Sequence, residues 1–262
     1  MPKAYEVIAD DLRRSIREGE RKPGDRLPAE TELARAYRRS VPTVQNALRL
    51  LTEEGLLDKQ HGRGNFVRRA RTLAVRDNGR HQWEKNRARR PKSERAVTGA
   101  TEHDTGLELR DLVFYARYRE IEASEELAAE FEVPEGTPVV ERSYRTRYEA
   151  ETAPFNLVTS YLLRDMIAAN PALLDDTNEP WPGGTPAQLH TIGIELDRVE
   201  ERFTARPPTP EEAAELELPP GTSVILLRKK SYDIHDRVVD VSHVTLPGDR
   251  TELLFTTPLE RW

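Results

Sequence analysis

The run PGDRLPAETELARAYRRSVPTVQNALRLLTEEGLLDKQHGRGNFV, residues 23–67, decides how the chain begins to fold. After Ser40 the apolar residues Val44, Ala47, Leu48 and Leu51 recur at the spacing of one helix face. Ser is a good N-cap. Pro42 falls in the first turn, where its missing N–H does little harm, and Gly55 suits the position after the last turn. Upstream, Pro28 opens a shorter helix. Glu30 and Glu32 suit its positive end, and Leu33, Ala34 and Tyr37 supply its buried face. Tyr5, Ile8, Ala9, Leu12 and Ile16 predict a first helix, closed by Gly19 and Arg21-Lys22-Pro23-Gly24. Downstream, residues 56–60 and 65–68 flank His61-Gly62-Arg63-Gly64, and the two glycines allow positive φ at a hairpin tip. Three short helices and a basic hairpin are the order of a winged helix-turn-helix. In that motif the third helix enters the major groove and the wing reaches the backbone or minor groove.

The 262 residues leave room for a second domain. With 37% hydrophobic and 33% charged residues, no apolar run reaches the length of a membrane span. The first residues lack a signal-peptide core, so a cytoplasmic location and no membrane partner are expected. The chain has no cysteine, which excludes disulfides, thiolate metal sites and cysteine nucleophiles. The net charge of −6 is unevenly divided: residues 1–96 hold 24 Lys/Arg against 14 Asp/Glu, and residues 97–262 hold 16 against 32. A basic first third can meet a polyanion that the acidic remainder repels.

The marks Tyr5, Ile8, Pro23 to Glu30, Leu33-Ala34, Ser40, Thr43-Val44, Ala47-Leu48, Leu51, Glu54-Gly55-Leu56 and Gly62 to Val67 hold their spacing over about sixty residues. In this the segment resembles the DNA-binding domain of the GntR family of transcriptional regulators. The resemblance implies a winged helix-turn-helix over residues 1–70 and double-stranded operator DNA as partner. Arg26, Arg38, Arg39, Arg49, Lys59 and Arg63 are its candidate cations. Ser40, Thr43, Gln45 and Asn46 on the recognition helix, Glu30, and His61, Gly62 and Gly64 of the wing complete the candidate surface. The family commonly has Arg after the capping residue and after the Thr-Val pair, where this chain has Val41 and Gln45. A changed operator is expected. Gln45 suits an adenine edge, and the Thr43 methyl suits a thymine methyl.

Residues 71–96 are rich in Lys and Arg and poor in apolar positions, which predicts a flexible or partly ordered basic connector. Trp83 is the exception there, and is expected to pack on a domain. Beyond it lies a duplication. SEELAAEFEVPEGTPVV (124–140) aligns with TPEEAAELELPPGTSVI (209–225) at an offset of 85 residues. Ser124 and Thr209 are N-caps with acids behind them, and an apolar strand follows each Gly-Thr or Gly-Thr-Ser turn. Strands at 112–119 and 194–203 precede the two helices, and returning strands at 155–162 and 238–246 follow. Each half reads β-α-β-β. Two halves make one antiparallel sheet with helices against it, so the whole chain is α+β in two domains, with a small-molecule site expected between the halves.

Arg145-Thr146-Arg147, Pro154, Ser160-Tyr161-Leu162, Tyr232-Asp233, Asp240-Val241-Ser242 and Gly248-Asp249-Arg250 give this second region, residues 97–262, a likeness to the UTRA effector domain of the HutC subfamily. The likeness implies a chorismate lyase-like fold, a homodimer, and repression relieved or promoted by a small effector. Arg145 and Arg147 match a pair that meets an anionic or sugar-like effector, and Asp240 a late acid. Ser160, Tyr161 and Ser242 are candidate pocket wall. Val158 stands where relatives have Glu, and Leu246-Pro247 where they have Tyr-Arg. No cofactor, metal or catalytic residue is expected. The six histidines show no metal-ligand spacing, and no nucleophile or phosphate-loop motif occurs. An enzyme of chorismate lyase-like fold, or a winged helix used for protein contact, are the alternatives. The second is disfavoured by the basic wing tip.

Overall fold

Helices α1 (Ala4–Arg17), α2 (Glu30–Ala36) and α3 (Val41–Glu53) form where the apolar spacing predicts them. The computed structural model describes residues 3–60, 62–69 and 71–260. Ser40 caps α3: its hydroxyl accepts from the Thr43 amide at 3.4 Å, and Pro42 sits in the first turn. Ile8, Leu12, Leu33, Val44, Leu48 and Leu51 are each no more than 3% exposed, and burying such a side chain stabilises the fold by about 1.5–3 kcal/mol. Arg13 of α1 gives two hydrogen bonds to Glu54, of 2.8 and 2.6 Å. The corner between α2 and α3 passes through Arg38 at φ +53°. Strands β1 (Leu57–Gln60) and β2 (Gly64–Val67) form the antiparallel wing, with Leu57 opposite Val67.

The chain divides into two units, residues 1–71 with 207–223, and residues 72–206 with 224–262. The second unit opens with β3 (Ala74–Asp77), α4 (Arg80–Ala88), α5 (Lys92–Arg95) and α6 (Ala100–Thr105). The expectation of a connector over 71–96 is therefore corrected: this stretch is structured. Arg87 stacks 4.4 Å over the Trp83 ring and donates to the carbonyls of Arg95 and Thr98. Trp83 in turn lies 4.4 Å from the His103 ring.

The duplication is borne out in the order of elements. The first half is β4 (Leu112–Glu122), α7 (Glu125–Phe131), β5 (Pro138–Tyr148) and β6 (Leu157–Leu163). Two short helices, α8 (Arg164–Ile167) and α9 (Gly184–His190), intervene. The second half is β7 (Leu196–Arg206), α10 (Pro210–Glu215), β8 (Val224–Asp233) and β9 (Val238–Pro247). Ser124 and Thr209 cap α7 and α10. The sheet runs β4-β5-β6-β9-β8-β7, with each neighbouring pair antiparallel. The last strand, β10 (Thr251–Leu254), pairs parallel with β3.

The pleat decides what each face does. Val139 and Val241 pack with Leu127 and Phe131 of α7. Val140 and Leu162 pack on the other face, with Ile167 and Leu189 of α8 and α9. On that second face the strands carry a row of polar residues instead of a continuous apolar core.

Candidate functional site

In the first unit, Gln45, Asn46 and Arg49 are exposed along α3, with Thr43 half-buried and Ser40 exposed at its start. Arg38 and Arg39 are exposed in the preceding turn. At the wing, Gly62 and Gly64 have φ of +72° and +117°. A Cβ at Gly64 would come within 3.2 Å of Arg26 Nε, so this glycine leaves room for the arginine at the wing base. Arg63 lies 5.8 Å over the Phe66 ring. His61 lies outside the described residues. Arg49 pairs with Glu53 at 2.6 Å. Among the described residues, Arg26, Arg38, Arg39, Lys59 and Arg63 have no carboxylate partner. Cations in this state are available to phosphates, which supply most of the affinity in protein–DNA complexes. Gln45 Nε2 donates to Glu30 Oε2 at 2.6 Å.

The second unit holds a cavity of about 400 Å³ on the α9 face of its sheet, a size typical of small-molecule sites. Its floor is built by β5, β6, β8 and β9, through Tyr144, Val158, Ser160, Lys229, Asp240 and Ser242. Asp240 is wholly buried and accepts from Lys229 Nζ at 2.9 Å, Ser160 Oγ at 2.9 Å and Ser231 Oγ at 3.1 Å. Burial works against its charge, but Lys229 and Arg142 overcome this and hold its carboxyl below the usual range. Arg142 is buried behind the floor, donating to Gln188 Oε1 at 2.7 Å and Ser160 Oγ at 2.8 Å. On one side Glu179 accepts from the hydroxyls of Tyr118 and Tyr144 and from Gln188 Nε2.

The roof comes from the stretch expected to be a connector. Arg76, Arg80, His81 and Glu84 line the cavity, with Asp104 of α6. Arg80 bonds to Asp104, and Arg76 Nη1 lies 3.8 Å from the same carboxylate. Burial and the neighbouring Arg80 push Arg76 down to about 10. Burial opposes the charge of Glu84, but Arg80 and His81 outweigh it and hold the carboxyl at about 2. Burial likewise opposes charge on His81, and Glu201 and Glu84 overcome it, so His81 sits above its ordinary value. His81 Nε2 is 3.1 Å from Glu201 Oε1 but off the line of a hydrogen bond. Among the described residues, Arg76 Nε, Arg80 Nε and His81 Nε2 have no partner that meets hydrogen-bond geometry. With Lys229 of the floor, Arg76 and Arg80 give the cavity a cationic lining suited to a ligand with acceptor oxygens.

Of the residues expected at the effector site, Val158, Ser160, Asp240 and Ser242 line the cavity together. Arg145, Arg147 and Tyr161 do not line it. Tyr144 and Thr146 line the cavity, so the intervening Arg145 and the next residue Arg147 fall on the opposite pleat. Arg145 Nη1 donates to the Tyr144 and Val158 carbonyls, and Arg147 Nη1 to those of Glu149 and Glu151. Tyr161 packs in the α7 cluster. Missed by sequence reasoning were the roof residues Arg76, Arg80 and His81, and the wall residues Tyr144, Glu179 and Lys229. The unexplained Trp83 is the signal that marked the roof as packed structure.

An exposed basic winged helix on one chain with a ligand-sized cavity in an α+β unit defines the class of ligand-responsive transcriptional regulators. Comparison with known proteins places the chain within it. Residues 4–67 match the bacterial regulatory proteins of the gntR family, and residues 115–252 match the UTRA domain. The chain belongs to the GntR family and carries a UTRA domain. It is 29% identical over 252 residues to an uncharacterized HTH-type transcriptional regulator of Streptomyces coelicolor, covering 95% of this chain and 91% of that protein. It is 26% identical over 249 residues to the histidine utilization repressor of Klebsiella aerogenes, covering 95% and 92%. A crystal structure of a GntR-family transcriptional regulator shares the fold with a TM-score of 0.63, at 23% identity and 98% coverage of both chains. The protein is thus a ligand-responsive, DNA-binding transcriptional regulator.

Proposed function

We propose that the protein is a cytoplasmic repressor that binds a palindromic operator as a homodimer. In this reading the effector occupies the roofed cavity of the UTRA unit. One observation carries this reading: Arg76, Arg80 and His81, whose side chains are N–H donors, line one cavity of about 400 Å³ together with the buried Asp240. The effector presents acceptor oxygens, such as a carboxylate or a phosphate, to those donors. Its apolar part meets Tyr144, Val158 and Trp181. It acts by binding one conformation of the regulator better than another, which shifts the population able to hold the operator. On the DNA side, Arg26, Arg38, Arg39, Lys59 and Arg63 meet phosphates. Ser40, Thr43, Gln45 and Asn46 face base edges, with the wing glycines allowing close approach.

The test is a screen of small acids for loss of operator binding by fluorescence anisotropy, repeated with two variants on any compound that acts. Val158→Trp fills the cavity and is expected to keep operator affinity while losing at least tenfold in response. Arg145→Ala, on the opposite pleat, is expected to respond like the wild type. A normal response in Val158→Trp would remove the cavity from the account. Sedimentation of the operator complex reads two chains per duplex if the dimer is right, and one if it is not.

A further inference from the structure

We infer that Glu30 locks the amide of Gln45 into the orientation that reads adenine, so that the recognition helix rejects guanine at that operator position. The starting point is the 2.6 Å hydrogen bond from Gln45 Nε2 to Glu30 Oε2. An ionised carboxylate only accepts hydrogen bonds. Turning the Gln45 amide over would set its oxygen against the Glu30 oxygen, two acceptors in contact. The carboxylate therefore fixes which end of the amide is the nitrogen.

That nitrogen has two hydrogens, of which Glu30 takes one. The second N–H and Oε1 are left for a base edge. Adenine presents a donor, its N6 amino group, and an acceptor, N7, in the major groove. Gln45 in the locked orientation complements both. Guanine presents two acceptors, O6 and N7. One of these would face Oε1, with the Glu30 charge close behind. The rest of the helix start agrees. From Val41 to Leu48 the sequence VPTVQNAL contains no cation, so this stretch offers no charged fork for guanine. Glu30 is held at the first residue of α2, half-buried. It is a positioning residue, and Gln45 is the reader.

The experiment uses the full chain. Bound duplexes are selected from a random pool by the wild type and by Gln45→Ala, and the position whose base preference the alanine abolishes is taken as the Gln45 contact. Dissociation constants are then measured on the selected duplex and on its A·T to G·C change at that position. The wild type is expected to prefer adenine by about 5- to 150-fold, the range of one bidentate pair. Glu30→Gln places a group there that both donates and accepts, so the Gln45 amide can turn over. Its preference is expected to shrink to within about threefold, while affinity for non-specific duplex rises, because a negative charge leaves the DNA-facing surface. Gln45→Arg is expected to invert the preference toward guanine. Both side chains are on the surface of the unit, and circular dichroism checks that each variant is folded. A wild-type preference for guanine, no position altered by Gln45→Ala, or full adenine preference in Glu30→Gln would each overturn the inference.

Discussion

At the scale of single residues, two side chains make measurable claims. The Ser40 hydroxyl satisfies the Thr43 amide at the start of α3. Ser40→Ala is expected to lower the stability of the first unit by about 1 kcal/mol, read from the denaturant midpoint of the helix signal. His81 is held above its ordinary pKa by Glu201 and Glu84 against burial. A raised folded-state value means its contribution is fully present below about 6.5 and is lost as pH rises through the folded value. The melting temperature of the wild type should therefore fall from pH 6 to pH 8 by more than that of His81→Gln. Equal pH dependence in the two would show that His81 is not charged in the folded state. The pairing of His81 with Glu201, which is 120 residues further along the chain, left no mark in local sequence. The phase of β5 was equally hidden. Tyr144, Arg145, Thr146 and Arg147 are polar on both pleats, so nothing in the alternation says which residues face the cavity. Resemblance placed the arginine pair one residue away from the lining positions.

Secondary-structure elements were far more legible where apolar periodicity is strong. All three reader helices, the wing and the β-α-β-β duplication could be read, because each buries a continuous stripe or a capped helix followed by an apolar strand. Leu51→Ala tests that dependence. Leu51 is fully buried in the reader core, and its truncation is expected to cost about 2–5 kcal/mol and to lose DNA binding together with the helix signal. The roof formed by α4 and α6 was illegible for the opposite reason. It is held by the Arg87–Trp83 stack and by ion pairs such as Arg80–Asp104, so its sequence has the composition of a solvated connector. Trp83→Ala is expected to speed amide exchange across residues 80–105 while leaving affinity for DNA unchanged. Slow exchange there in the variant would mean that the stack is dispensable.

At the scale of the whole molecule, the account depends on a division of labour by charge. Residues 1–96 have ten more Lys/Arg than Asp/Glu, and residues 97–262 have sixteen fewer. Arg26, Arg38, Arg39, Lys59 and Arg63 of the first unit are among the cations that lack carboxylate partners among the described residues. A polyanion is therefore met by one part of the chain and repelled by the other. Part of the basic surplus does not serve that purpose: Arg76 and Arg80 line a cavity and pair with Asp104. The overall charge of −6 conceals both facts. The most direct measurement is the affinity of the full chain for random-sequence duplex as sodium chloride is raised, for the wild type and for Arg38→Gln and Arg63→Gln. The predicted result is a linear fall of log affinity with log salt, with a slope reduced by about 1 in each variant. Binding that is absent at low salt, or insensitive to salt and to both substitutions, would contradict the assignment of the first unit as the DNA reader.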